Sequence, residues 1–361
     1  MNFSEDKISM KQAVIIFFLA IGAPSLRVIP NYMAYFAKNT AWLSAIIYLV
    51  PAFILIFVLK ELVQKKQKGL YEIYEEIFGT TINKFITIFY IAWSLFLASL
   101  YLRMFGERFL GTILFDANIT AIIIFMACFV YFIVNQKIDV LGRLAEVLTP
   151  FFAFVILVVF FLIFSKIDVK NLWPITHYDM LPMLKGLIPL LSLSSYITGV
   201  MFLGDKISDI KTFGRRGNIA TIVFCSGAII LILSTIGVWG YRLNLQFLFP
   251  YFVTLKNINI LNTIERIESL VISVWLATDA VIISLFTLIA LSLVKKLFKT
   301  NAQSKNSMWL IILIVTLAIN IFSNAYDIEV FARDYGSWIN IGLFMILPII
   351  AFGVGKVRKI V

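Results

Sequence analysis

The chain has 361 residues, of which 61% are hydrophobic and 14% charged, and its mean hydropathy is +0.95. A soluble domain is about 45–50% apolar, and here apolar blocks recur along the whole chain, which excludes a soluble globular protein. In a soluble protein the formal net charge of +11 would suggest a nucleic-acid partner. Here the basic residues lie in short loops between apolar blocks, so they predict membrane topology and no nucleic-acid partner.

Ten apolar segments are long enough to cross a bilayer, which takes about 20 mostly apolar residues for about 30 Å of hydrocarbon. We therefore predict an all-α membrane protein with a single transmembrane domain over residues 1–361 and no separate soluble domain. The predicted spans are 12–36, 41–63, 84–110, 118–135, 145–165, 185–204, 217–240, 262–294, 307–325 and 337–355.

Lysine and arginine placement predicts the orientation of these spans. When the N-terminus and every second loop are placed on one side, that side holds 20 of the 31 basic residues and the other side 10, with Arg27 inside a span. Because cytoplasmic loops carry the excess of lysine and arginine, both termini are predicted to be cytoplasmic. The N-terminal segment shows no small-residue cleavage site, so we expect the first apolar block to remain as a helix.

The loop after span 2 contains GLYEIYEEIFG, residues Gly69–Gly79. Leu70, Ile73 and Ile77 form an apolar stripe at helical spacing, with glutamates beside it. This pattern predicts a short helix at the membrane interface that caps the bundle. A moving gate element is the alternative interpretation.

Span 1 contains Gly22-Ala23-Pro24-Ser25 in its middle. Proline lacks an amide donor and glycine weakens a helix. Unpaired backbone groups at this depth are tolerated only where they line a protein cavity, so we predict an unwound, substrate-facing break. A simple packing kink is the alternative.

Span 6 opens the second half of the chain and has a dense polar centre. Hydroxyl side chains crowd its midpoint near Tyr196, directly before Gly199. Spans 1 and 6 hold corresponding positions in two halves of five spans each, approximately residues 12–165 and 185–355. Paired interruptions at such positions are typical of inverted-repeat transporters, in which half-helix ends face the substrate near the midplane.

These observations predict a binding site for a small polar solute at two broken helices. Free amides and helix ends there hold a carboxylate, and free carbonyls hold an ammonium group or cation. The predicted substrate-binding residues are Gly22, Ala23, Pro24, Ser25, Ser192, Ser195, Tyr196, Thr198 and Gly199, with Tyr101 of span 3 a weaker candidate. We predict no catalytic residue, metal site or cofactor, because the single histidine lies in a loop and no Cys/His or Asp/His pair shares a depth.

Two charged residues are predicted to lie deep within the membrane. Arg27 follows the break in span 1, and Asp279 lies in the middle of span 8. A charge at that depth needs a partner or a proton, and both residues are about 24 Å from the cytoplasmic ends of their helices. We consider a bridge between them, separate cavity positions, and proton coupling through Asp279 as alternatives.

Several segments together resemble one permease family, and the likeness covers nearly the whole chain. They are ISMKQ before span 1, RVIP at Arg27–Pro30, Ala41-Trp42-Leu43-Ser44, GLYEIYEEIFG, GRLAEVLTP at Gly142–Pro150, and IERIESLVISVW at Ile264–Trp275. In order and spacing they resemble the B-subunit (GerAB-like) permeases of spore germinant receptors, within the amino acid–polyamine–organocation transporter superfamily. The chain departs from many relatives after Gly199, where the next acidic residue is Asp205.

The resemblance implies a LeuT-type fold with a five-plus-five inverted repeat and discontinuous helices 1 and 6. It implies assembly with an A-type subunit and a C-type lipoprotein in the spore inner membrane, and sensing of a nutrient such as an amino acid. A proton- or sodium-coupled amino acid permease remains the alternative function. A scaffold without a ligand would leave the hydroxyl cluster of span 6 unexplained.

Overall fold

The computed structural model describes residues 7–112, 116–136, 138–257, 267–299, 303–322 and 324–360. Within these ranges the regular structure is helical, apart from one parallel bridge between Ile8 and Ile207. The α-helices are α1 Met10–Phe36, α2 Ala41–Ile47, α3 Leu49–Lys66, α4 Leu70–Phe78, α5 Thr80–Thr112, α6 Ile119–Asn135, α7 Ile138–Ile163, α8 Met180–Lys185, α9 Leu187–Ser194, α10 Ile197–Met201, α11 Phe213–Asn244, α12 Pro250–Lys256, α13 Ile267–Phe298, α14 Gln303–Asn320, α15 Ala325–Phe331, α16 Ser337–Ile341 and α17 Leu347–Val357.

The ten predicted spans all fall on apolar helices of the structure. Among the described residues, eight helical segments are long and apolar enough to cross a membrane, and α6 and α14 supply two shorter apolar helices. The eight are α1, α2–α3, α5, α7, α8–α10, α11, α13 and α15–α17. Residues 262–266 of predicted span 8 and residue 323 of span 9 lie outside the described residues.

Helix α1 is the centre of the bundle. It packs against α7, α11 and α13, and buried residues occur on every side of it. A helix that is apolar all round is stable only when neighbours surround it. Its start is fixed by a capping box, in which the Ser9 hydroxyl accepts from the backbone N–H of Gln12 and the Gln12 side chain accepts from the N–H of Ser9.

The predicted break in helix 1 is wrong, because α1 runs without interruption from Met10 to Phe36 with Pro24 and Pro30 inside it. Each proline removes one backbone donor, so the carbonyls of Ala20 and Leu26 lose their partners four residues on. Packing on all sides outweighs those two losses. The Gly-Ala-Pro-Ser sequence is therefore accommodated within a continuous helix in this conformation.

The interruption predicted in helix 6 is confirmed at Ser195 and Tyr196, which separate α9 from α10. The Ser195 amide still donates to Leu191 O, four residues back, at 2.9 Å. The Tyr196 amide instead donates to Leu193 O at 3.2 Å, and Thr198 to Ser195 O at 2.9 Å. These bonds span three residues, so the helix tightens locally instead of unwinding.

The short helix predicted after span 2 is confirmed as α4, and its place at the membrane interface stays a prediction. Its buried face carries Leu70, Ile73, Tyr74 and Ile77. On its other face the ammonium groups of Lys66 and Lys68 lie 2.8 and 2.6 Å from the Glu76 carboxylate. These hydrogen bonds, that of Lys66 first, hold the pKa of Glu76 below its usual value. The helix therefore lies against the bundle with its charges toward water.

Gly186 marks a close approach between the start of α9 and α2. A Cβ atom at this position would lie 2.5 Å from Ser44 Oγ and 2.7 Å from the Cβ of Ala37. We expect Gly186→Ala to lower the free energy of unfolding by about 1–3 kcal/mol through overpacking, measured by denaturant titration in detergent. Gly353→Ala is the matched control, since its Cβ would meet nothing within 4 Å. Equal stability of the two variants would show that this contact does not constrain the fold.

Candidate functional site

Five side chains from three spans form a hydrogen-bonded group, which we call the central polar cluster: Trp93, Tyr101, Ser192, Tyr196 and Asn340. Trp93 is half-buried, and the other four are buried. The hydroxyls of Tyr101 and Tyr196 are 2.8 Å apart. The Asn340 amide nitrogen donates to Tyr196 Oη and to Ser192 Oγ, both at 2.9 Å. The Trp93 indole donates to Asn340 Oδ1 at 2.8 Å. Three of the predicted residues are thus brought together.

Aromatic rings enclose the central polar cluster. The ring of Phe286 stacks on Tyr101 and meets Tyr196 edge-on, with centroids 6.2 and 4.9 Å away. Phe344 packs against Tyr196 at 5.7 Å. Tyr101 and Tyr196 are only 4% and 2% exposed. In this conformation the hydroxyls therefore bond to one another and are shielded from water.

The remaining predicted residues of helix 6 contact their own turn or a neighbouring helix. The Ser195 hydroxyl donates to Ser192 O at 2.8 Å, and the Thr198 hydroxyl donates to Phe344 O at 2.6 Å. A Cβ on Gly199 would lie 3.1 Å from Ile289 Cδ1. Thr198 therefore ties the α9–α10 region to the last span, Ser195 bonds within the turn, and Gly199 leaves room for α13.

Asn340 was not predicted from the sequence, although its amide joins the other members of the cluster. It lies in α16, between two π-helical segments at Ala332–Gly336 and Gly342–Ile346. Such wide turns occur frequently at functional sites. The available signal was a lone amide side chain within the apolar stretch SWINIGLF, which resembles an ordinary interfacial residue until the fold places it.

Arg27 and Asp279 are both buried, but the considered bridge between them is wrong. Arg27 forms an ion pair with Glu329 of α15, and its Nε donates to Glu329 Oε2 at 2.8 Å. Asn31 Nδ2 also donates to that carboxylate, at 3.4 Å. Equal depth on two helices does not specify which of their faces meet. Glu329 was not predicted as the partner of Arg27.

Asp279 pairs with Arg108 of α5. The Arg108 Nη1 donates to Asp279 Oδ2 at 2.7 Å, and the guanidinium lies over the Trp275 ring, 5.0 Å from its centroid. The side chains of Arg108 and Asp279 are 3% and 0% exposed. Arg108 lies within α5, which extends to Thr112. The two ion pairs bind α1 to α15 and α5 to α13.

The predicted residues of helix 1 lie apart from the central polar cluster's hydrogen bonds. Ala23 and Pro24 are buried in α1. Gly22 and Ser25 line an apolar cleft of about 310 Å³ between α1, α7 and α11. A Cβ on Gly22 would lie 3.1 Å from both Phe152 Cζ and Thr278 Cγ2. Their predicted contact with substrate therefore stays a prediction.

Comparison with solved structures gives the fold. MhsT, crystallised in complex with L-phenylalanine, superposes with a TM-score of 0.68 at 12% sequence identity, covering 97% of this chain and 89% of that one. A Na⁺-coupled sialic acid symporter in a substrate-bound outward-open state gives 0.64 at 14% identity, covering 94% and 78%. The chain therefore has the LeuT-type fold of these two proteins.

Comparison with protein families and with known proteins identifies the family to which the chain belongs. The chain belongs to the spore permease family, described as spore germination protein, whose profile matches residues 7–328. Spore germination protein KB of Bacillus subtilis (strain 168) is 23% identical over 333 residues, which is 87% of this chain and 86% of that protein. YfkT of the same strain, also named for spore germination, is 26% identical over 281 residues, 75% of each chain. Family and fold are those of permeases.

Removing one member of the Arg108–Asp279 pair is expected to destabilise the protein strongly. Asp279→Asn leaves a buried guanidinium without its counter-charge, at a cost of about 3–5 kcal/mol in the free energy of unfolding. Denaturant titration in detergent measures this loss. The double variant Arg108→Met/Asp279→Leu is expected to recover most of it, because neither charge remains.

The control is Asp139→Asn, which breaks the ion pair with Arg143, whose side chain is 60% exposed. A surface pair contributes about 0–1 kcal/mol, so this variant should match the parent. Equal losses for Asp139→Asn and Asp279→Asn would contradict the structural role of the buried pair.

Proposed function

We propose that this chain is a nutrient-binding, permease-like subunit of a spore germinant receptor. The observation that carries the proposal is the central polar cluster, in which hydroxyl, amide and indole groups from α5, the α9–α10 turn and α16 meet inside the bundle. Buried polar groups in hydrocarbon are costly unless they serve a ligand or each other. Membership of the spore germination family supports the link to germination.

The cluster supports a binding mechanism through exchange of hydrogen bonds. In the conformation described, Tyr101, Tyr196 and Asn340 bond to one another. A small polar nutrient such as an amino acid would replace these mutual bonds in a second, more open arrangement. A ligand shifts the balance between two states only by its differential affinity for them, and partners exchanged within one cluster provide such a difference.

The charges of the buried side chains indicate the class of substrate. Arg27 pairs with Glu329, Arg108 with Asp279 and Arg103 with Glu107, so each of these intramembrane ion pairs is neutral. One nitrogen of Arg27, Nη1, is buried and has no hydrogen-bond partner. A zwitterionic amino acid adds no net charge to this interior and brings a carboxylate that fits such a donor.

The signalling role requires partner subunits and a defined orientation. We propose assembly with A-type and C-type receptor subunits in the spore inner membrane, with both termini in the cytoplasm, as the excess of basic residues on one side indicates. We further propose that residues 12–165 and 185–355 form the two repeats. Movement of one repeat against the other would transmit binding to the partners.

The test is the nutrient response of spores that carry variants of this chain. Tyr196→Phe removes the hydroxyl that bonds both Tyr101 and Asn340. We expect the half-maximal nutrient concentration for germination, followed by the fall in optical density, to rise roughly tenfold or more. Tyr178→Phe is the matched control, since Tyr178 is 79% exposed. An unchanged response with Tyr196→Phe, at equal protein level in the membrane, would defeat the assignment.

The rival function is a coupled amino acid permease, and its structural support is the likeness to the Na⁺-coupled symporter. Vesicles containing this chain alone distinguish the two. Accumulation of labelled amino acid driven by a sodium or proton gradient would establish transport. A germination response that needs the partner subunits, with no accumulation in vesicles, would establish sensing.

A further inference from the structure

A cleft of about 310 Å³ opens between α1, α7 and α11, and it is separate from the central polar cluster. Helix α1 packs against both α7 and α11, and residues of all three helices line the cleft. Its rim includes Leu157 and Val223, which are 45% and 51% exposed. Both lie on apolar spans, so the opening faces the hydrocarbon of the bilayer instead of water.

The walls of the cleft are almost wholly apolar. Three phenylalanine rings, Phe18, Phe152 and Phe224, line it together with aliphatic side chains, and its described lining contains no charged residue. An ionised ligand would have to lose its hydration without gaining a counter-charge. The polar nutrient of the proposed function does not match these walls, whereas a neutral hydrocarbon or aromatic body does.

Two hydroxyls in the wall are without partners. Ser25 Oγ and Thr149 Oγ1 are buried, and neither makes a hydrogen bond. Ser25 is 8% exposed, and the two residues lie near the middles of α1 and α7. A serine or threonine in a membrane helix ordinarily bonds its own backbone carbonyl, as Thr278 does at 3.0 Å. Ser94, Ser234 and Ser284 have unpartnered hydroxyls elsewhere in the bundle, so a missing partner alone does not identify a site. Ser25 and Thr149 differ because both line the same apolar cleft, where a ligand with one polar group would supply the missing hydrogen bonds.

We propose that this cleft binds a neutral amphiphile that enters from the bilayer, with a hydrocarbon body and one hydroxyl or carbonyl group. The body fills the space against the phenylalanine rings, and the polar group bonds to Ser25 and Thr149. A phospholipid acyl chain would fill the same space but leave both hydroxyls unsatisfied. The volume is at the lower end of the range for small-molecule sites, about 300–1,000 Å³.

The experiment uses two photoreactive probes on the full chain in lipid nanodiscs, octanol carrying a diazirine and the corresponding diazirine-bearing octane. Mass spectrometry of the digested protein maps the attachment points. We expect saturable attachment of the octanol probe to lining residues of α1, α7 and α11, reduced by excess octanol. The double variant Ser25→Ala/Thr149→Val keeps the shape but removes both hydroxyls, so attachment of the octanol probe should fall roughly threefold to tenfold.

A second variant tests whether the probes need the open volume of the cleft. A Cβ on Gly227, in the wall of the cleft, would meet nothing within 4 Å, so Gly227→Leu fills the cleft without a clash at Cβ. It should abolish attachment of both probes, while the control Gly353→Leu, in equally open space on α17, should not. Equal, hydroxyl-independent attachment of the two probes would show an acyl-chain groove, and unsaturable attachment spread over the lipid-facing surface would show no site. Either outcome overturns the proposal.

Discussion

The structure depends on one constraint, that polar groups inside hydrocarbon must find their partners within the protein. Three of the places where the bundle meets this constraint join helices that are distant in sequence. The Arg27–Glu329 and Arg108–Asp279 pairs cancel buried charges, and the central polar cluster pairs neutral donors with acceptors. The same contacts that satisfy polar groups therefore also hold the bundle together.

The arrangement separates two kinds of chemistry within one interior. On one side of α1, Arg27 faces Glu329 of α15. On the other side, the Gly22 and Ser25 positions face the apolar cleft. A single helix thus contacts a charged region and a hydrocarbon-facing region.

The sequence was sufficient for the fold and for part of the site. Periodic apolar blocks define spans because each must cross the same thickness of hydrocarbon, and the hydroxyl density around Tyr196 correctly located the α9–α10 interruption. The continuity of α1 could not be predicted in the same way. A proline in the sequence shows that one hydrogen bond is lost, but it does not show whether tertiary packing compensates for that loss. The partners of Arg27 and Asp279 depended on helix rotation, which depth along a span does not determine. The role of Asn340 became visible only when the fold placed Trp93, Ser192 and Tyr196 around its amide.

The Arg27–Glu329 pair has a consequence for how this sequence can change over time. Each residue alone is a burden in the bilayer interior, and each is tolerable because the other is present. A replacement at either position therefore passes through an intermediate that carries a lone charge, unless both codons change nearly together. The two positions are therefore expected to change together during evolution, although one lies in the first span and the other in the last.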